Sequence, residues 1–206
     1  MQIIVFVILC ICAYLVGAIP FGLIYSKIRG VDIRKTGSGN IGATNVGRAF
    51  GFWGGFVPVF LFDGVKGALP VLLVRFIGVD GLHPELAMII AGTSAILGHL
   101  FPVYLKFKGG KGVATSAGVF LSIAPFHTAV VLVIFLIIYL ITKIVAIASI
   151  VAAVALPLSI AFIKPEWASL SIYTLVVSIA LSVLIIISHR SNIKKLLKKE
   201  DSETKK

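Results

Sequence analysis

Charged residues are scarce in this sequence: they make up 13% of the chain, and only eight are carboxylates. That inventory excludes a soluble globule, because about half of such a protein's residues must face water. Hydrophobic residues make up 59% and the mean hydropathy is +1.09, so lipid has to be the solvent. Cysteine is almost missing as well. Cys10 and Cys12 are too few and too close for a disulfide framework, and nothing pairs them with histidine as a metal site requires. They read as small residues facing core or lipid. A basic leader is also lacking: Met1-Gln2 enters an apolar run at once, which argues against a cleavable signal peptide and predicts a helix that stays.

What is present is a series of apolar runs over 3–26, 52–77, 85–105, 113–124, 126–142, 144–163 and 167–188. A crossing needs about 20 apolar residues for a ~30 Å core. The run 113–124 is too short, at ~18 Å of helix. Pro125 follows it, so 113–142 is either two segments or one kinked helix. Charge decides between them. With two segments and the N-terminus outside, Lys27, Arg29, Arg34, Lys35, Arg48, Lys106, Lys108, Lys111, Lys143 and the basic tail all fall inside. Only Arg75 and Lys164 fall outside, and Lys66 lies within a span. With one segment the tail would be exported, against the positive-inside rule. The sequence therefore predicts an all-α integral membrane protein of about seven transmembrane helices, one short or partly inserted. Its N-terminus lies outside and its C-terminus in the cytoplasm. One polytopic domain over 1–193 is followed by a flexible basic tail, 194–206. The net charge of +11 reads as this topology and as headgroup attraction, not as nucleic-acid binding.

Two polar clusters share the inner face. The loop from Thr36 to Arg48 carries Gly37, Gly39, Gly42 and Gly47, which let backbone approach a ligand closely. Ser38, Asn40, Thr44 and Asn45 add neutral hydrogen bonds, and Arg48 adds a fork suited to phosphate. Gly37-x-Gly39-x-x-Gly42 matches a dinucleotide fingerprint only literally, because no strand precedes it and no βαβ unit fits between membrane helices. The second cluster, Gly98 to Gly112, ends Lys108-Gly109-Gly110-Lys111-Gly112. It lacks the Ser or Thr of a Walker motif, yet two lysines on bare backbone before a helix start make a good anion site. Lys106 and the tail lysines read as snorkelling residues. Ser38, Arg48, Lys108 and Lys111 read as ligand groups, since such dense polar usage at a membrane is costly otherwise.

Among the remaining polar residues, His99 and His189 at inner helix ends are candidates for proton transfer, or simply caps. Asn192, three positions past His189, shares its face if the last helix continues. Ser149, near the inner end of its segment, suits an interhelical hydrogen bond. His83 and His127 fall on the outer side and receive no role. Asp63 and Lys66, one turn apart within a span, are expected to satisfy each other.

Gly-Ser-Gly-Asn-Ile-Gly-Ala-Thr-Asn at 37–45 with Arg48, Gly-His-Leu-Phe-Pro-Val at 98–103, Lys-Gly-Gly-Lys-Gly-Val-Ala-Thr at 108–115 and His-Arg-x-Asn-Ile at 189–193 resemble the bacterial acyl-phosphate:glycerol-3-phosphate acyltransferase family, PlsY. The resemblance implies a seven-helix membrane fold. It also implies acyl transfer from acyl phosphate to the 1-hydroxyl of glycerol-3-phosphate, giving lysophosphatidic acid and phosphate. The His-x4-Asp signature of other acyltransferases is absent. No cofactor or metal is implied, and the partners are the two substrates and membrane lipids. On this reading Ser38, Arg48, His99, His189 and Asn192 are catalytic. Gly37, Gly39, Asn40, Thr44, Asn45, Lys108, Gly109, Gly110, Lys111, Thr115 and Ser149 bind substrate or phosphate. The place of action is the cytoplasmic face of the bacterial inner membrane. A transporter of a phosphorylated metabolite and a lipid-binding scaffold are the competing classes.

Overall fold

The computed structural model describes residues 2–165 and 170–203, and every regular element in them is helical. They form two compact units, one ending at Thr128 and one starting at Ala129.

In the first unit, α1 (Gln2–Ala18) and α2 (Phe21–Ile28) occupy the first apolar run. The sequence predicted one helix there, and the structure breaks it at Ile19-Pro20. Proline has no N–H to continue the ladder and its ring clashes with the preceding turn. The Phe21 N–H turns back to Ile19 O at 3.0 Å. A loop was expected up to Arg48, but α3 (Ala43–Phe50) takes its second half, so Thr44, Asn45 and Arg48 are helical residues.

A π-helical turn, Phe52–Phe56, leads into α4 (Val57–Ile77). It is tied to α2: Gly54 O accepts from Tyr25 Oη at 2.6 Å and from Arg29 Nη1 at 2.8 Å. Next come α5 (Pro84–Leu100) and the short α6 (Val113–Ile123). The run 85–105 is therefore helical only to Leu100, with a separate 3-10 turn at Val103–Leu105. Close approach needs small residues. A Cβ on Gly17 would overlap the Ala95 backbone, and one on Gly67 the Thr115 carbonyl. Such stripes join membrane helices where lipid removes the hydrophobic drive between them.

Pro125 starts α7 (Pro125–Thr142), a first-turn position that wants no N–H. The second unit continues with α8 (Val145–Phe162), α9 (Ile172–Ser188) and α10 (Arg190–Glu203). Ser182 Oγ on α9 donates to Ala153 O on α8. The start of the predicted run 167–188 lies partly outside the described residues. Helix α10 passes through residue 194 unbroken, where a flexible tail was expected to begin.

Among the described residues, five segments are long and apolar enough to cross a membrane: Ile3–Ile28, Phe52–Ile77, Pro84–Leu105, Pro125–Thr142 and Val145–Phe162. Helices α9 and α10, bent by 53°, add a sixth if taken as one span, and Val113–Ile123 is a shorter apolar helix. Large apolar side chains stand exposed on α1 (Ile3, Ile4), α4 (Leu61, Val65) and α7 (Ile137, Ile141). In water such surfaces would aggregate; against lipid they are at home.

Candidate active site

The first glycine-rich loop is built around Asn45. Its side chain is 2% exposed, and Nδ2 donates to Ile33 O at 3.0 Å, Thr36 O at 3.1 Å and Asn40 O at 3.0 Å. Its Oδ1 accepts from the Ser38 N–H at 2.9 Å. Every polar atom of Asn45 is thus spent on loop backbone. It shapes the loop, where the sequence alone suggested a group offered to phosphate. The turn it encloses needs left-handed backbone at Gly37 and Gly39, with φ of 57° and 71°, where a side chain is disfavoured. Asn40 also shapes backbone: its Oδ1 accepts from the Gly42 N–H at 2.9 Å just before α3.

What this frame presents outward is Ser38 and Arg48, both exposed, with Thr44 half-buried beside them in the first turn of α3. At the loop's entry Asp32 caps the turn Ile33–Lys35 and holds Arg34 by two hydrogen bonds, Nε to Oδ1 at 2.9 Å and Nη2 to Oδ2 at 2.6 Å. Those bonds keep the Asp32 carboxyl well below the usual carboxylate range. Arg34 is therefore committed to Asp32, and Arg48 supplies the exposed guanidinium of α3.

The second loop is seated on His99. The Gly110 N–H donates to His99 O at 3.0 Å. A Cβ on Gly110 would overlap the imidazole at Nε2, and one on Gly109 would overlap the carbonyls of His99 and Leu100. Both glycines therefore pack against the end of α5 with no room for a side chain. Lys108 is exposed and Lys111 half-buried, one on each side of the glycine pair. Gly112, at φ 83°, then turns the chain into α6. Thr115 and Ser116 in its first turn are 0% and 6% exposed, and their hydroxyls have no hydrogen-bond partner among the described residues. Buried hydroxyls and unsatisfied first-turn N–H groups form an environment suited to an anion.

His99 itself is 6% exposed. Nδ1 lies 3.7 Å from Asp63 Oδ1, and Asp63 pairs with Lys66 Nζ at 2.7 Å. The expected Asp63–Lys66 pair thus forms, but the site contact of Asp63 through His99 was missed. The available signal was two opposite charges deep in an apolar run.

In the second unit, Ser149 is buried on α8 and His189 is 3% exposed at the end of α9. His189 Nδ1 lies 2.8 Å from Ile185 O. A carbonyl only accepts, so Nδ1 carries a hydrogen and donates it. Asn192 falls after the bend, in the first turn of α10, with its N–H on His189 O at 2.8 Å. The last helix therefore does not run on straight as the shared-face reading required.

The model of the family described as glycerol-3-phosphate acyltransferase matches residues 7–199. The glycerol-3-phosphate acyltransferase of Geotalea daltonii is 42% identical over 92% of this chain and 93% of its own. That of Bacillus subtilis is 40% identical, over 96% of each chain. The crystal structure of PlsY (YgiH), an integral membrane glycerol 3-phosphate acyltransferase, in its glycerol 3-phosphate form superposes with a TM-score of 0.82. It shares 39% identity, over 94% of this chain and 92% of that one. Its lysophosphatidic acid form gives 0.80 at 38% identity, with the same coverage. By sequence, fold and motif, the chain belongs to the glycerol-3-phosphate acyltransferase family.

Proposed function

We propose that this protein transfers a fatty acyl group from acyl phosphate to the 1-hydroxyl of glycerol-3-phosphate. The products are lysophosphatidic acid and inorganic phosphate, and no acyl-enzyme forms. The observation that carries the reading is the pair of basic, glycine-rich loops, one presenting Ser38 and Arg48 and the other Lys108 and Lys111, matched to two substrates that each carry phosphate. The PlsY relative, crystallised in glycerol 3-phosphate and lysophosphatidic acid forms, supports the acceptor and product.

An acyl phosphate is a mixed anhydride and arrives activated. The acceptor oxygen bonds to the acyl carbon, the bond from that carbon to the phosphate oxygen breaks, and the departing phosphate takes the hydroxyl proton. His99 is not the base, since its ring is closed in by Asp63 at Nδ1 and by Gly110 at Nε2. Cys10 and Cys12 lie within α1, in neither loop, so neither is placed to become an acyl carrier. Catalysis comes from holding two anions together and stabilising charge on the leaving phosphate. Arg48, with Ser38, Thr44 and the backbone at Gly37 and Gly39, holds one phosphate. Lys108, Lys111 and the first-turn N–H groups of α6 hold the other.

By the positive-inside rule both loops face the cytoplasm of the bacterial inner membrane, with the N-terminus outside. Residues 1–193, which carry every motif, make up the acyltransferase domain. Purified protein given palmitoyl phosphate and glycerol-3-phosphate should release one phosphate per lysophosphatidic acid, and Lys111→Ala should lose both products together. Phosphate release without lysophosphatidic acid, or full turnover in Lys111→Ala, contradicts the reading.

A further inference from the structure

Asp63 and Lys66 sit one helical turn apart on α4, 3% exposed each. The pair does more than neutralise itself. Lys66 Nζ donates to Ile19 O at 2.8 Å, the carbonyl at the break between α1 and α2. The same ammonium lies 5.5 Å from the centre of the Phe21 ring, within the range of a cation–π attraction. On the other side, Asp63 Oδ1 faces His99 Nδ1 at 3.7 Å. One ion pair therefore touches two discontinuities of the backbone, the end of α1 and the end of α5.

Each discontinuity is the footing of one glycine-rich loop. Beyond the first, Gly22 on α2 lies so close to Ile41 that a Cβ would overlap the Ile41 carbonyl. Ile41 belongs to the loop that carries Ser38 and leads to Arg48. Beyond the second, Gly109 and Gly110 lie against the backbone and ring of His99, and they join Lys108 to Lys111. Ile19, Ile41, Asp63, Lys66, His99 and Pro102 close around one recess too tight for a water molecule. Such a close-packed cluster transmits position, because its members have no room to move independently.

We infer that Asp63 and Lys66 are positioning residues for acyl transfer, a buried ionic brace that fixes the spacing between the two phosphate-holding loops. Neither touches substrate. A buried ion pair seldom adds stability over an apolar replacement of similar shape; here it clamps two loop footings at once. The inference rests on reading both loops as phosphate holders. Rates depend on such spacing more than affinities do. Each loop still binds its own phosphate when displaced, whereas a misplacement of about 1 Å between reacting groups costs roughly 100-fold in rate.

The test uses the double variant Asp63→Asn/Lys66→Met, which removes both charges, leaves neither partner uncompensated and keeps the volume of the site. Folding is checked by thermal unfolding and gel filtration. The purified variant should unfold within a few degrees of the parent. Its kcat with palmitoyl phosphate should fall roughly 100-fold, while KM for each substrate stays within about threefold. A second measurement does not depend on turnover. Spin labels at the exposed positions Lys35 and Lys106, introduced as Lys35→Cys and Lys106→Cys with Cys10→Ala and Cys12→Ala, report the distance between the loops. The parent should give one narrow distribution and the double variant a broad one. A folded double variant with kcat within threefold of the parent overturns the inference, and so does one with the parent's narrow distribution. A parent that fails to turn over acyl phosphate refutes the donor reading instead, and the distance measurement then decides the brace alone.

Discussion

Replacing Asn45 by alanine removes the frame of the first loop without touching an exposed group. The carbonyls of Ile33, Thr36 and Asn40 each lose one donor, and the Ser38 N–H loses its acceptor. Nδ2 has two hydrogens for three acceptors, so the shared bonds are worth less than a full set. At roughly 1 kcal/mol net per bond the loop loses about 3 kcal/mol of local stability. That energy corresponds to roughly a 100-fold increase in transient opening. The assay is amide hydrogen exchange resolved to Ser38, in detergent and without substrate. Asn45→Ala should speed exchange there by roughly 100-fold and lower kcat/KM in parallel. Asn45→Asp should be worse, because it keeps the acceptor for Ser38 but turns a second anionic oxygen toward three carbonyls. Parent-like protection of Ser38 in both variants would refute the reasoning and return Asn45 to direct contact with a phosphate.

Gly110→Ala puts a methyl into the His99 ring, which Asp63 blocks from retreating. The clash should cost about 1–3 kcal/mol and lower kcat by at least tenfold, while Gly78→Ala, where a Cβ meets nothing within 4 Å but φ is 69°, should strain only its own turn and leave turnover alone. His189→Ala should retain turnover within about tenfold if the departing phosphate takes the proton, and a 1000-fold loss of kcat would make that histidine the base. The Asp32–Arg34 clasp sets a pH dependence with a definite sign. Its carboxyl titrates below its ordinary value of 3.8, so the clasp is intact above that value and is lost as pH falls toward the lower native one. Exchange at the Arg34 N–H should rise only in that acid window, and Asp32→Asn should abolish the rise.

The sequence predicts the spans because membrane crossing is decided by length and hydropathy, which are local quantities. The short segment before Pro125 follows from charge parity and appears as α6. The motif residues are equally visible in type: Ser38, Lys108 and Lys111 stand exposed or half-buried on the two loops, and Arg48 stands exposed on α3. What the sequence hides is which polar groups face the ligand and which face the backbone. Asn45 and Ser38 differ little as letters, yet the fold spends one on the loop and presents the other. Nor does the Gly109-Gly110 pair reveal that one lies against the His99 carbonyl and the other against its ring. The break at Pro20 went unread within a run taken as one helix; its partner Lys66 lies far along the chain, and no local pattern connects the two. The bend at His189 was likewise invisible, because the apolar run simply ends there.

The central claim is that acyl phosphate is the donor. Purified protein, supplied with glycerol-3-phosphate and either palmitoyl phosphate or palmitoyl-coenzyme A, tests it in parallel reactions read as lysophosphatidic acid formed. Product is expected from palmitoyl phosphate alone, with one inorganic phosphate released per acyl group transferred. Product from the coenzyme A thioester alone would contradict it.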